Sequence, residues 1–533
     1  MTHLMLVMHA HLPFVRHPEY DTFLEENWLF EALSETYIPL LDTFTRLLED
    51  DVPFKLTFSI SPTLTAMLED ELLADRYVRH LDRCIELGEK EVERTKGDSD
   101  FAPLARFYLE RYLHSKEIFE EVYERRILRG FDYLHKKGRL ELITTVGTHP
   151  FLPNYRHFPQ VVSAQMELGI DSHASIFGKA PRGIWLPECG YYEGLEEQIK
   201  DSGLDYFFSA AHGVLFGDDV PKHGTYAPVR TPNGVAVFPR DLFTANQVWS
   251  SEEGYPGDPV YRDFYRDIGH DLPLQYIGPH IHDGHVRINT GFKYYAITDK
   301  SDDKVPYKPE LARERLREHA KHFVDSQERL SEELSGLMDK EPVITSPYDA
   351  ELFGHWWFEG PQWLEAVIRE IADRNNGLRM NTPSRYLKTE TPEQEIRPAF
   401  SSWGNKGYSE VWLDGTNDWI YRHTHKAIER MAELIERFPN ETGLKRRALN
   451  QAAREILLSQ SSDWPFIMNA RTVVPYATSR VREHLANFNR IYDALSGGQM
   501  GTEWLTRLEK KNNIFPNLDY RMLRGASETM LQV

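Results

Sequence analysis

Two carboxyl groups stand at the ends of apolar segments, beside aromatic residues, where they could act on a substrate. Glu188 follows apolar residues 184–186 in "IWLPECGYYEGL" (184–195), and Asp349 lies in "SPYDAELFGHWWFEG" (346–360). Cleavage of a glycosidic bond uses such a pair, because one carboxylate attacks or stabilises the anomeric carbon while the other carboxyl protonates the leaving oxygen. The two residues are far apart in the chain, so only folding can bring them together. The alternative for Glu188 is a structural carboxylate that caps the next helix.

The tryptophan pair Trp356 and Trp357 follows Asp349 closely. Adjacent side chains cannot both face one side of a regular helix or strand. We therefore expect one ring to pack in the core and the other to line a cleft, and we assign the sugar contact to Trp357. The alternative is that both rings fill the core.

Histidines offer a second chemistry. His9 and His11 form an i, i+2 pair whose rings face the same side of a strand, and three more histidines lie in "HIHDGH" (280–285). With His149 and a carboxylate, the pair resembles the metal site of a barrel hydrolase. A histidine can equally hydrogen-bond a sugar hydroxyl. We expect no metal cofactor and keep metal-dependent hydrolysis as an alternative that a strong chelator tests.

Seven short apolar runs supply the elements that must position these groups. Near-continuous apolar runs of this length are typical of buried parallel strands, and charged helical stretches such as 309–338 separate many of them, which indicates a β/α fold. Each run is followed by a polar residue that could take part in catalysis or binding. A β/α barrel carries its active site at the carboxyl ends of its strands, so the pattern favours a barrel over an open sheet. The runs are 4–8, 54–60, 140–146, 183–186, 205–210, 235–238 and 342–345, leading respectively to His9 and His11, Ser61, His149, Glu188, His212, Arg240 and Asp349.

Two long stretches interrupt the predicted barrel, and a third follows it. Residues 62–137 are charged and helical, whereas 241–308 are rich in Gly, Pro and aromatic residues and have the length of a functional loop. After about residue 400 the strand pattern stops, and helical apolar spacing continues over 417–437, 444–461 and 476–497. We predict a catalytic barrel from 1–61 and 138–400 with an active-site insertion at 241–308, a helical insertion at 62–137, and an all-helical C-terminal domain at 401–533.

Composition restricts the partners. The 533 residues carry a formal net charge of −20, which argues against nucleic acid or an anionic membrane surface but not against a neutral sugar polymer. Two cysteines cannot form a disulfide framework, and the N-terminal segment lacks the basic region and the apolar length of a signal peptide or a membrane span. We expect a cytoplasmic protein, and the sequence leaves its oligomeric state open.

Five stretches of the chain carry a resemblance to a known family. They are "HAHLPFVRHPEY" (9–20), "GTHPFLP" (147–153), "WLPECGY" (185–191), "SPYDAELFGHWWFEG" (346–360) and "SSWGNKGYSEVWLDGTNDWIYRHTH" (401–425). With them, nearly the whole chain resembles glycoside hydrolase family 57, in particular its branching enzymes and the α-amylases close to them. The resemblance implies a seven-stranded (β/α) barrel with helical insertions and a helical C-terminal domain, an α-1,4-glucan substrate, and no required metal.

The resemblance also implies roles for single residues. Glu188 occupies the position of the family nucleophile and Asp349 that of the acid/base, which implies a retaining double displacement that forms α-1,6 branches on a glucan acceptor. His11 and His149 match positions that line the donor subsite. Further positions with an implied role in substrate binding are Arg240, Gly257, Trp403 and Asp463, with Trp28 and Trp412 as additional sugar platforms.

The stretch 210–229, "AAHGVLFGDDVPKHGTYAPV", departs from the family pattern. In branching members the loop after the fifth strand presents a tyrosine over the active site, which favours transfer over hydrolysis. Here the loop at 213–226 has Lys222 and His223 near its expected tip, and Tyr226 stands late. Two alternatives therefore stay open: α-amylase-like hydrolysis of the same glucan and, from a different class, a catalytically weak glucan-binding protein.

Overall fold

Strands and helices combine in a mixed α/β fold. The computed structural model describes residues 1–250, 254–299, 301, 303–374 and 377–524. The strands in these residues are β1 Thr2–Ala10, β2 Leu56–Ile60, β3 Leu140–Ile143, β4 Gly183–Ile184, β5 Tyr206–Ser209, β6 Val229–Arg230, β7 Ala236–Pro239, β8 Val343–Asp349 and β9 Leu378–Met380. All except β6 and β9 coincide with the seven apolar runs, so those strand predictions are confirmed.

The strands form two sheets that meet. One has the order β3–β2–β1–β8 with β9 beside the start of β1, and the other has the order β4–β5–β7–β6. Neighbouring strands are parallel except β6 and β7. A parallel bridge between Thr144 and Ile184 joins the sheets between β3 and β4. At the other end, the backbone N–H of Asp241, just after β7, donates to the carbonyl of Thr345 in β8 at 2.8 Å.

The two faces of β1 are buried in different apolar clusters. Met5 and Val7 pack with Trp185 and Phe208, whereas the even-numbered residues Leu4, Leu6 and Met8 belong to the larger cluster shared with the helices. This alternation follows from the two-residue period of a strand. It places His9, the next odd-numbered residue, on the same face as Met5 and Val7.

Helices occupy most of the chain between and after the strands. They are α1 Asn27–Ala32, α2 Ile38–Glu49, α3 Pro62–Leu68, α4 Glu71–Thr95, α5 Phe101–Glu117, α6 Leu128–Lys136, α7 Pro159–Phe177, α8 Leu195–Asp201, α9 Ala211–Leu215, α10 Leu242–Trp249, α11 Ile268–Asp271, α12 Leu274–Ile277, α13 Pro309–Ser335, α14 Gly360–Arg374, α15 Pro383–Tyr386, α16 Trp419–Arg437, α17 Gly443–Ser459, α18 Asp463–Ala470, α19 Val474–Ser496 and α20 Thr502–Lys511. The segment 62–137 holds α3 to α6, and the chain after 400 holds α16 to α20.

Local signals set several helix boundaries. The side chain of Asp70 caps α4 by accepting from the N–H of Leu73 at 3.1 Å, and α7 ends at Gly178 in a left-handed conformation with φ of 73°. Asp241 caps α10 by accepting from the N–H of Thr244 at 2.7 Å. Asp241 directly follows Arg240, so this cap fixes the backbone next to Arg240 at the end of β7.

Among the residues that the structure describes, no helix is both long and apolar enough to cross a membrane.

Candidate active site

A left-handed turn holds Glu188 just past the end of β4. Glu188 and Cys189 have φ angles of 60° and 51°, a conformation that costs a residue with a side chain on the order of 1 kcal/mol or more. Three backbone hydrogen bonds hold the turn, each at 2.9 Å: Cys189 N–H donates to Leu186 O, Gly190 N–H donates to Pro187 O, and Trp403 N–H donates to Glu188 O. The strained turn is therefore maintained in part by the C-terminal portion of the chain.

Both oxygens of the Glu188 carboxyl accept a hydrogen bond. Trp403 Nε1 donates to Oε2 at 2.8 Å, and Ser462 Oγ donates to Oε1 at 2.9 Å. Burial raises the pKa of Glu188 to about 7, and the two hydrogen bonds act in the opposite direction because they stabilise the carboxylate. A carboxyl group that ionises near neutral pH and has a fixed orientation is suited to attack an electrophilic carbon.

A chain of hydrogen bonds runs from β2 to the Glu188 carboxyl. Ser59 Oγ lies 3.2 Å from His9 Nδ1, His9 Nε2 lies 3.0 Å from His149 Nε2, and His149 Nδ1 lies 2.8 Å from Ser462 Oγ. Since Ser462 donates to Glu188, the consistent assignment has His149 donating to Ser462 and His9 donating to His149. Burial holds the pKa of both imidazoles well below the usual value, so both rings are neutral, as this assignment requires.

Replacing Ser462 by alanine is expected to move the acid limb of the pH–rate profile upward by about one pH unit, because a hydrogen bond to a charged group contributes about 1.5–3 kcal/mol. The measurement is kcat/KM as a function of pH on amylose, the kind of glucan that the resemblance implies as substrate. The matched control is Ser459→Ala, which removes a buried hydroxyl that donates to Ile456 O in α17 and should leave the profile in place. An acid limb that does not move in Ser462→Ala contradicts the role given to this hydrogen bond.

Asp349 is the last residue of β8 and pairs in register with His9 of β1. This register brings it to the edge where the chain of hydrogen bonds to Glu188 passes. Burial raises the pKa of Asp349 well above its usual value, the negative charges of Glu351 and Glu188 raise it further, and Arg240 lowers it. Glu188 is therefore near enough to act electrostatically on Asp349, and a carboxyl whose raised pKa helps it to keep its proton can serve as a general acid.

A third carboxyl group, Glu351, lies beside Asp349. Its Oε1 accepts from the backbone N–H of His11 at 3.2 Å and from the Tyr37 hydroxyl, and burial raises the pKa of Glu351 to about 6. Glu351, Tyr37 and Ser462 had no predicted role. The sequence offered one signal, the two-residue spacing of Glu351 from Asp349, whereas Tyr37 and Ser462 reach the site only through tertiary contacts.

His11 forms an ion pair with Asp463 next to His149. His11 Nε2 lies 3.0 Å from Asp463 Oδ2, the His11 and His149 rings stack with centroids 3.7 Å apart, and His149 Nδ1 lies 3.9 Å from Glu188 Oε1. Burial acts to lower the pKa of His11, but Asp463 raises it above the usual value; against burial, His11 holds the pKa of Asp463 below its usual value. The structure thus brings three predicted residues together beside Glu188.

The same three residues could hold a metal ion. One ligand atom from each of His11, His149 and Asp463 lies within 4.8 Å of the others. Two imidazoles and a carboxylate form a donor set that suits Zn²⁺ and similar transition metals. The histidines of "HIHDGH" do not belong to this group.

Two predicted sugar contacts, Trp357 and Trp412, need correction. Trp357 is only 2% exposed and packs against Trp363 of α14 with ring centroids 5.3 Å apart. Trp412 is 1% exposed and stacks on Phe151 with centroids 4.8 Å apart. A ring that is covered in this way has no free face for a glucose unit, so both tryptophans have packing roles.

The other predicted aromatic and polar contacts are placed as follows. Trp403 is at the site through its bonds to Glu188, and Arg240 lies over its ring with Cζ 5.5 Å from the centroid. Trp28 is half-buried with its ring edge-on to Tyr476. Gly257 lies in the turn Tyr255–Gly257, which α13 contacts, and its sugar contact stays a prediction.

The loop after β5 leads away from the carboxyl groups. The carbonyl of Tyr226 accepts from the backbone N–H of Val343 at 2.8 Å, and Lys222 forms an ion pair with Asp339. Val343 begins β8 and Asp349 ends it, so about 20 Å of strand separates the Tyr226 backbone from Asp349. Tyr226 therefore cannot cover the active site.

Comparison with known proteins identifies the family. The model of glycosyl hydrolase family 57 matches residues 5–398, and that of the C-terminal region of 1,4-alpha-glucan branching enzyme matches residues 423–523. A 1,4-alpha-glucan branching enzyme of Thermococcus kodakarensis is 32% identical, over 96% of this chain and 77% of that protein.

Two solved structures are similar over almost their whole length. The alpha-amylase AmyC from Thermotoga maritima has a TM-score of 0.92 at 44% identity and covers 98% of this chain and 99% of its own. The GH57-type branching enzyme from Pyrococcus horikoshii has a TM-score of 0.88 at 32% identity and covers 98% of this chain and 97% of its own. With a family match over most of its length, the chain belongs to glycosyl hydrolase family 57.

Proposed function

We propose that this protein is a 1,4-alpha-glucan branching enzyme, which cuts an α-1,4-glucan and transfers the released chain to the 6-hydroxyl of another glucan. The observation that carries the proposal is the pair of partly buried carboxyl groups, Glu188 and Asp349, the first of which raises the pKa of the second, in a chain that matches the family over 5–398 and the branching-enzyme region over 423–523. The named activities of two relatives support the choice of reaction.

In the first step, the Glu188 carboxylate attacks C1 of a glucosyl unit and forms a covalent glycosyl-enzyme. Asp349 gives its proton to the oxygen of the leaving chain as the bond from C1 to that oxygen breaks. Trp403 and Ser462 orient the attacking carboxylate through their hydrogen bonds. The configuration at C1 inverts in this step.

In the second step, Asp349 acts as a base. Its carboxylate takes the proton of the acceptor hydroxyl, whose oxygen attacks C1 and displaces Glu188, so a second inversion restores the α configuration. A 6-hydroxyl of another glucan yields an α-1,6 branch, whereas water yields a shortened chain. His11 and Asp463, adjacent to Glu188, hydrogen-bond hydroxyl groups of the glucosyl unit.

The architecture that goes with this function is a (β/α) barrel of seven parallel strands, in the order β8–β1–β2–β3–β4–β5–β7. The hydrogen bond from Asp241 to Thr345 supports closure between β7 and β8. The barrel comprises 1–61 and 138–400, with insertions at 62–137 and 241–308. The helical domain at 401–533 completes the site, since it supplies Trp403, Ser462 and Asp463.

A linkage assay on amylose tests the proposal. The purified protein should lower the iodine absorbance of amylose and create chains that a debranching enzyme releases, with few new reducing ends. Glu188→Gln serves as the inactive control. New reducing ends without any debranchable linkage would overturn the proposal and identify an α-amylase.

Hydrolysis in the manner of an α-amylase is the second candidate. Two observations favour it: the loop after β5 runs to the start of β8 instead of covering the carboxyl groups, and the solved structure at 44% identity is described as an alpha-amylase. Both activities use the same Glu188 and Asp349 chemistry and differ only in the acceptor. The ratio of debranchable chains to reducing ends in the same assay measures the partition.

Trp356, the neighbour of the buried Trp357, offers a glucan contact outside the catalytic subsite. It is 55% exposed, and its ring stacks on Phe264 with centroids 4.5 Å apart and an angle of 25° between the planes, which supports the indole from one side. The backbone N–H of Trp356 donates to the carbonyl of Glu351 at 3.2 Å, so Trp356 stands on the loop that carries two of the carboxyl groups. An exposed indole that is supported in this way is suited to stack on a glucose ring.

Trp356→Ala is expected to raise KM for amylose about fivefold with little change in kcat, because an aromatic contact contributes about 1 kcal/mol and is made equally in the ground and transition states. Steady-state kinetics on amylose and on a short maltooligosaccharide measure the effect, which should be smaller on the short substrate. The control is Tyr133→Ala, an exposed aromatic side chain on α6. Equal KM values for Trp356→Ala and the control would rule the contact out.

A further inference from the structure

We infer that His11, His149 and Asp463 bind one divalent transition-metal ion of the Zn²⁺ or Cu²⁺ type, and that this ion inhibits the enzyme by occupying the sugar subsite. The ligand atoms lie within 4.8 Å of one another. In the described part of the chain, this is the one group of three or more His, Cys, Asp or Glu side chains that lie close enough to share an ion. The ion has no catalytic role here, so a chelator should leave the metal-free enzyme fully active.

The geometry is close to that of a chelate. His11 Nε2 and Asp463 Oδ2 are 3.0 Å apart, whereas a tetrahedral Zn²⁺ with bonds of about 2.0–2.1 Å holds its ligand atoms roughly 3.3 Å apart. The His149 ring stacks on His11 at a centroid distance of 3.7 Å, so it is close enough to share an ion but has to turn before its nitrogen points at that ion. Binding therefore requires side-chain adjustments, with no change of the strands and helices that carry the three residues.

Access and charge also favour a cation. The side chains of His11 and Asp463 are 10% and 18% exposed, so an ion can reach them from the solvent. Glu188 and Glu351 act electrostatically on His11 from the same site, and together with Asp463 they give it an excess of carboxyl groups. The two imidazoles make the set selective, because Mg²⁺ and Ca²⁺ prefer oxygen ligands.

Inhibition follows from the contacts that the ion replaces. Coordination removes His11 and Asp463 as hydrogen-bonding partners for a sugar and takes His149 out of the chain of hydrogen bonds that ends on Glu188. Metal binding as such depends only on the three side chains. The competition with glucan rests on the proposed function.

Calorimetric titration of the full chain with ZnCl₂ tests the inference. We expect one ion per chain, no comparable binding of MgCl₂, and weaker Zn²⁺ binding when a maltooligosaccharide is present. Asp463→Ala and His149→Ala should each lower the Zn²⁺ affinity at least tenfold. The matched control is the double variant His282→Ala, His285→Ala, which removes two histidines of "HIHDGH" and should bind Zn²⁺ as the parent does. Where Asp463→Ala lowers the Tm, Asp463→Asn replaces it, because the amide keeps the shape and is a poor Zn²⁺ ligand.

Each outcome decides one point. Unchanged Zn²⁺ affinity in the Asp463 and His149 variants, or its loss in the control, overturns the inference. Branching of amylose without Zn²⁺ binding overturns the inference and leaves the proposed function intact. Site-specific Zn²⁺ binding by a protein that neither branches nor cuts amylose overturns the proposed function and leaves the metal site.

Discussion

Glu188→Gln is expected to lower kcat on amylose by on the order of 10⁴-fold or more, since it removes the attacking group of a covalent mechanism. The amide has the shape of the carboxyl group but cannot form the glycosyl-enzyme. Branching and hydrolysis should fall together, because both require that intermediate. The measurement is initial rate by the linkage assay and by reducing ends.

The fold must be shown to survive this substitution. Glutamine keeps one oxygen that can accept from Trp403 Nε1 or Ser462 Oγ, so the Tm should stay close to that of the parent. Added azide should restore turnover of a glycosyl fluoride in Glu188→Ala and give the β-glycosyl azide, which indicates attack at the face that Glu188 vacates. An active Glu188→Gln, or an azide product of retained configuration, excludes Glu188 as the nucleophile.

The strands were predictable from sequence because each is a near-continuous apolar run. The nine residues of β1 are buried throughout, as a parallel strand covered on both faces requires. The strands β6 and β9 were not predicted, since they have two and three residues and each contains an arginine, so neither forms part of an apolar run. The pairing of His9 with Asp349 could not be predicted either, because register depends on the whole sheet.

The site was predictable where the signal was local. The i, i+2 spacing of His9 and His11 placed both rings on one side, and they stack with centroids 5.9 Å apart. The tryptophan pair does divide into one packed and one exposed ring, but the choice of Trp357 was wrong, since Trp363 of α14 decides which ring is covered. The left-handed backbone at Glu188 could not be predicted, because glycine is the usual sequence signal for that conformation and position 188 is a glutamate.

Asp349→Asn is expected to lower kcat on amylose by about 10²–10⁴-fold, the usual contribution of general acid–base catalysis. With a maltosyl fluoride as substrate, the rate of the first step should fall much less, because fluoride leaves without needing a proton from Asp349. Glu188→Gln should be inactive on both substrates, so the pair of substrates separates the two roles. Equal losses for Asp349→Asn on amylose and on the fluoride would contradict the role of Asp349 as acid.

The pH profile gives an independent test of the same assignment. Activity of the parent should rise as pH increases through about 7, where Glu188 ionises, and fall at higher pH as Asp349 loses its proton, since burial holds the pKa of Asp349 well above its usual value. The two apparent values belong to the interacting pair. In Asp349→Asn the alkaline limb should disappear and the acid limb should stay in place, because Asp349 is already uncharged at the pH where Glu188 ionises. The raised Asp349 pKa also means that its ionisation destabilises the folded state as pH rises. The variant should therefore unfold at a Tm equal to or above that of the parent in alkaline buffer, and a lower Tm together with a preserved alkaline limb would assign the acid to another group.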